Sequence, residues 1–148
     1  MKRKRAKSAT PIPSRQITRT IAGAATDSDG ENYADIFERF AHPLTQDAED
    51  EEMMTNMLSL AANAWNIASL QPHERMKSIA TFCQRFPEEA RLEIKRELST
   101  LITRKDAEFS GNAWLVTDID LTFHGDEVDV AVEVVCGVTL ADLQATKQ

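Results

Sequence analysis

MMTNMLSLAANAWNIASL, Met53 to Leu70, is the stretch that decides the fold. It contains no Gly, no Pro and no charge. Met54, Leu58, Ala61, Trp65 and Ala68 recur at helical spacing on one face. Met53, Met57, Leu60, Ala64 and Ile67 widen that face on its other side. Asn56, Ser59, Asn63 and Asn66 leave only a narrow polar stripe. A helix apolar around most of its girth has to be covered on several sides. The other segments are therefore expected to pack around this one.

The segments on either side fit that expectation. Upstream, Tyr33, Ile36, Phe37 and Phe40 give a short helix over about 31–41 its apolar face. Asp29 is placed to cap it and Pro43 to end it. Thr45 is then the expected cap of the central helix, about 46–70. Its first turns hold Asp47, Glu49, Asp50, Glu51 and Glu52, where acids favour the positive helix N-terminus. This acidic run suits a solvated helix start, or a surface for a cation or a basic partner. Downstream, Pro72 and Pro87 each fit the first turn of a helix. The helix over about 72–86 would face inward with Met76, Ile79, Ala80, Cys83 and Phe86. The one over about 87–106 would do so with Ile94, Leu98, Leu101 and Ile102, ending on Arg104 and Lys105. Short connections make these helices antiparallel neighbours.

After Ser110-Gly111 the apolar period changes from 3.6 to 2. Two strands are expected over about 114–123 and 128–135, joined by a two-residue turn at Gly125-Asp126. That turn sets Phe123 opposite Val128, Leu121 opposite Val130 and Ile119 opposite Val132. The other face then carries Asp118, Asp120, Asp129 and Glu133, with Asp118 opposite Glu133. Trp114 falls there too, covering the hairpin or sitting in an interface. Val138 to Gln144 suits a last short helix or a frayed end. The expected class is α+β: about four helices with a C-terminal antiparallel hairpin. The expected core includes Leu58, Trp65, Ile67, Ile94, Leu98, Ile119, Leu121, Val130 and Val132.

Charge is unevenly divided along the 148 residues. Residues 1–30 hold seven Lys/Arg and two Asp, net +5; the remainder holds ten Lys/Arg and 22 acids, net −12. With Pro11, Pro13 and few large apolar side chains, 1–30 is expected to be a disordered basic arm. A short helix over Arg15 to Ala25 is conceivable on a partner. Residues 31–148 are expected to form one domain. Lys2, Arg3, Lys4, Arg5 and Lys7 are the candidate contacts to nucleic acid, an anionic membrane or the protein's own acidic surface. No aromatics are interleaved with them, so base stacking is not supported. An acidic body argues against a nucleic-acid footprint on the globular part.

Several function classes find no support. Cys83 and Cys136 suit two thiols in a reducing, cytoplasmic setting, and are too few for a disulfide framework or a zinc site of usual spacing. No run approaches the roughly 18 apolar residues of a membrane span. The basic start lacks the apolar core of a signal peptide, although its Arg, Ser and Thr content is compatible with a transit peptide. His42, His73 and His124 form no local metal motif, and His73-Glu74 lacks the second His of a zinc-protease helix. Cys83 and His73 lie too far apart along one helix to form a nucleophile pair. No phosphate loop, nucleophile elbow or dinucleotide fingerprint appears. The hairpin acids are the one metal candidate: a hard cation or a basic partner would relieve their repulsion, as would exposure to water. No cofactor is implied.

Ala64-Trp65-Asn66-Ile67-Ala68-Ser69-Leu70, a later helix ending in Arg104-Lys105, and then a hairpin resemble small uncharacterised bacterial proteins of helices plus a hairpin. Some of those carry a SEC-C zinc-binding tail, which is absent here, so the resemblance implies no zinc and no activity. It spans about residues 53–135.

The expected function is a non-catalytic protein-interaction or regulatory module, dimeric through the hairpin edge, with an unidentified protein partner. The alternatives are an accessory nucleic-acid-binding protein that uses the arm, and a divalent-metal enzyme built on the hairpin acids.

Overall fold

The computed structural model describes residues 16–22, 32–125, 127–136 and 139–140. Its elements are β1 (Gln16–Ala22), α1 (Tyr33–Thr45), α2 (Glu51–Ile67), α3 (Pro72–Cys83), α4 (Glu88–Glu108), β2 (Leu115–His124) and β3 (Glu127–Val135). Four helices and an antiparallel hairpin make it α+β, as the change of period predicts. The chain divides into two compact units. One is Met1–Ser59 with Thr117–Val134, and the other is Leu60–Val116 with Val135–Gln148.

In the first unit, α1 starts from Asn32, whose side chain accepts from the Ala34 and Asp35 N–H groups (2.9 and 3.3 Å). Asp29 lies outside the described residues. Pro43 does not end this helix, which continues to Thr45. So near the C-terminus a proline removes only one ladder bond, and the next turn still closes through Gln46 N–H to His42 O. Thr45 is therefore the buried last residue of α1, not a cap. The cap of α2 is Asp50, whose carboxylate takes the Met53 N–H at 2.8 Å. Ile36, Phe37, Phe40, Met54 and Leu58 are fully or almost fully buried.

The sheet has the order β1-β3-β2. Here the structure differs from the expectation of an arm without structure: Gln16–Ala22 is a strand, parallel to β3. Its register aligns Ile17, Arg19 and Ile21 with Val128, Val130 and Val132. The β-branched run Ile17, Thr18, Thr20, Ile21 suits a strand better than the helix considered for it, and β3 offers it a ladder. Residues 1–15 and 23–31 lie outside the described residues, as do Asp126 and Gly137. Gly125 has φ +60°, the left-handed conformation required at the head of the turn. Val128, Val130 and Val132 are buried, while Ile119, Leu121 and Phe123 are half-buried. That alternation agrees with the paired apolar faces, and the difference in depth follows from β3 being central and β2 marginal.

In the second unit the C-terminal half of α2 is the buried core. Leu60, Ala61, Ala64, Trp65 and Ile67 are all buried, as is Ala68 just after the helix, as an all-round apolar helix requires. α3 packs beside α4. Leu98, Leu101 and Ile102 are buried as expected, and Ile94 is half-buried. The inward face of α3 agrees in part with the expected one: Cys83 is buried and Ile79 and Phe86 are half-buried, but Met76 is 74% exposed, Ala80 is exposed and Phe82 is buried instead. Arg75, in the first turns of α3, is half-buried and bonded to Asp106. α3 also ends at Cys83, earlier than expected.

Candidate functional site

The expected acidic hairpin face exists, and its members are dispersed among separate partners. Asp118, Asp120, Thr122 and His124 are exposed along β2. Asp129 pairs with His124 (3.0 Å), and Glu133 accepts from the Thr117 hydroxyl at both its carbonyl and its Oε1 (3.1 and 3.0 Å). The Thr117 hydroxyl thus gives the Glu133 carboxylate a donor, where a second carboxylate would repel it. Asp118 Oδ1 accepts the N–H of Ile119 at 3.0 Å. Among the described residues no three His, Cys, Asp or Glu side chains are placed to share a metal ion. Lys2, Arg3, Lys4, Arg5 and Lys7 lie outside the described residues.

A second constellation, which no local motif in the sequence marks, forms at the C-terminal ends of α2 and α4. Trp65 and Trp114 stack with centroids 4.3 Å apart, and Trp65 Nε1 donates to Trp114 O at 2.7 Å. Trp114 precedes β2 and is buried, so it belongs to this core and not to the acidic face of the hairpin. The Asn66 side chain both accepts from Val116 N–H (2.9 Å) and donates to Val116 O (2.8 Å). One amide thereby satisfies both main-chain groups of a residue at the start of β2, as a neighbouring strand would.

Lys105 is 7% exposed. Its Nζ lies 4.4 Å from the Trp65 ring centroid and donates to Asn112 O at 2.8 Å. Burial pushes its pKa down, opposed by the Asp106 charge and reinforced by Arg75. Arg75 holds Asp106 through two hydrogen bonds (2.8 and 3.0 Å) and donates to Ala68 O and Leu70 O in the turn after α2 (2.6 and 3.0 Å). Trp65, Trp114, Lys105, Asp106 and Asn112 border a cleft of about 550 Å³. A lysine at a helix end is ordinarily read as a solvated partner of the helix dipole; the only hint in the sequence was that Lys105 falls on the i+3, i+4 stripe of Leu101 and Ile102.

No helix among the described residues is long and apolar enough to cross a membrane. Compared with protein-family descriptions, curated proteins and solved structures, the chain matches none.

Proposed function

We propose that this chain is a non-catalytic protein-interaction module that self-associates through its hairpin, β2 pairing antiparallel with β2 of a second copy. The observation that carries this reading is the position of β2 at the margin of the sheet. β1 occupies the other side of β3, so of the two edges the bare hairpin would present, the one along β2 stays open among the described residues. Beyond Val116, whose main-chain groups the Asn66 amide occupies, this edge runs from Thr117 to His124 without the Pro or Lys that commonly guards an edge. Asp118 and Asp120 discriminate between registers, since like charges directly opposite are unfavourable. A two-fold axis at Leu121 sets Asp118 opposite the partner's His124, Asp120 opposite the partner's Thr122, and Ile119 opposite the partner's Phe123. Axes at Ile119 or Asp120 would oppose carboxylates. The pairing would join two three-stranded sheets into one continuous sheet.

Size-exclusion chromatography with light scattering tests this, with absorbance recorded at 260 and 280 nm. A dimer free of nucleic acid is expected. Thr122→Asp, which opposes a carboxylate to Asp120, should weaken the dimer about tenfold, equivalent to about 1.4 kcal/mol. Thr122→Lys should tighten it. A monomer at all concentrations would refute self-association, and indifference of the dimer to both variants would refute the β2 edge. Nucleic acid that co-elutes at low salt and is lost at high salt would bring forward Lys2 to Lys7 instead.

A further inference from the structure

The cleft at the ends of α2 and α4 contains a buried cation that, among the described residues, no carboxylate pairs with directly. Lys105 is a three-donor ammonium. It makes one hydrogen bond, to Asn112 O, and one ring contact, to Trp65. Both acids at the cleft are otherwise engaged. Asp106 has both oxygens on the Arg75 guanidinium, and Glu74 Oε1 receives the Gln71 N–H at 3.3 Å. Among the described residues no carboxylate pairs with Lys105. A buried charge without a directly paired carboxylate is expensive, and an entering anion would supply that pairing along with an acceptor for the remaining N–H groups.

The surroundings narrow the class of anion. The cleft's volume, about 550 Å³, is in the range of small-molecule sites. Leu70, Ala113, Trp114 and Leu140 give it a largely apolar wall. One cation is uncommitted, and Glu74 and Asp106 stand at the rim, so a monoanion fits and a phosphate dianion is repelled. We propose that this cleft is a binding site for a small monocarboxylate with a flat apolar body, its carboxylate on Lys105 Nζ and its body against the Trp114–Leu140 wall. This site is separate from the β2 edge, and nothing in it depends on the protein self-associating.

The chain has two tryptophans, and Trp65 and Trp114 both line the cleft, so intrinsic fluorescence reports on this site alone. The full chain is titrated at neutral pH with benzoate, benzyl alcohol and inorganic phosphate. Benzoate is expected to give a saturable change, with benzyl alcohol and phosphate each at least tenfold weaker. Lys105→Met, which keeps the length and removes the charge, should weaken benzoate at least tenfold, while Lys105→Arg should retain part of the affinity. If Lys105→Met does not fold by circular dichroism, the wild-type lysine Cε resonances decide, since benzoate must move the Lys105 signal. The proposal is overturned by an absence of saturable benzoate binding. It is equally overturned by undiminished binding in a folded Lys105→Met, by phosphate binding more tightly than benzoate, or by an unmoved Lys105 signal.

Discussion

Asn66 shows what one side chain contributes here. Its two hydrogen bonds to Val116, at 2.8 and 2.9 Å, connect residues 50 apart in sequence. Truncation leaves a main-chain N–H and a C=O without that partner in a half-buried setting. Asn66→Ala is therefore expected to lower unfolding stability by about 1–3 kcal/mol, read as a lower urea midpoint at unchanged slope. Asn66→Asp keeps the acceptor and loses the donor, and should lie between the two. Lys105 makes a prediction in pH. Its folded pKa is below the ordinary 10.5, chiefly through burial. Between the lowered value and 10.5 the unfolded chain binds more protons than the folded one. The Lys105 contribution to stability therefore rises with pH across that window and is flat below it. Thermal midpoints from pH 7 to 10.5 should carry a rising component that Lys105→Met removes.

At the scale of elements, short helices and strands depend on their ends and neighbours. α1 has 13 residues and one side-chain cap. Asn32→Ala should cost about 0.5–2 kcal/mol, measured by chemical denaturation, whereas an alanine at exposed Thr55 of α2 should change little. β1 fills one side of β3. Removing residues 1–22 uncovers the central strand's edge, so the shortened chain should melt at lower temperature and associate more strongly as concentration rises. An unchanged melting temperature would mean that the parallel β1–β3 ladder adds no stability.

For the whole molecule, the balance of 17 basic and 24 acidic residues gives a net charge of −7 at pH 7. The sequence pI is about 5.0. Self-repulsion falls toward zero there, so solubility is expected to pass through a minimum near pH 5 and recover on either side, a trend that turbidity against pH would record. The molecule is also divided: α2 begins in one compact unit and ends in the other, and the boundary crosses β2 between Val116 and Thr117. Continuous elements therefore run through both units, although each unit has its own buried set.

Local pattern alone determined much of this protein. The apolar girth of Met53 to Leu70, the helix starts at Pro72 and Pro87, and the alternation around Gly125 are all properties of neighbours in sequence, and period and steric restriction act over a few residues. Long-range pairing is a different matter. Whether Gln16–Ala22 is a strand depends on β3 lying beside it, more than a hundred residues away. Arg75 is half-buried while its neighbour Met76 is exposed, and the partner Arg75 reaches is Asp106, 31 residues on. Lys105 at a helix end reads as solvated until folding brings Trp65 over its ammonium and Asn112 O beneath it. Only the tertiary structure decided these, because a polar side chain's environment is set by which distant atoms meet it, and sequence spacing does not encode that meeting.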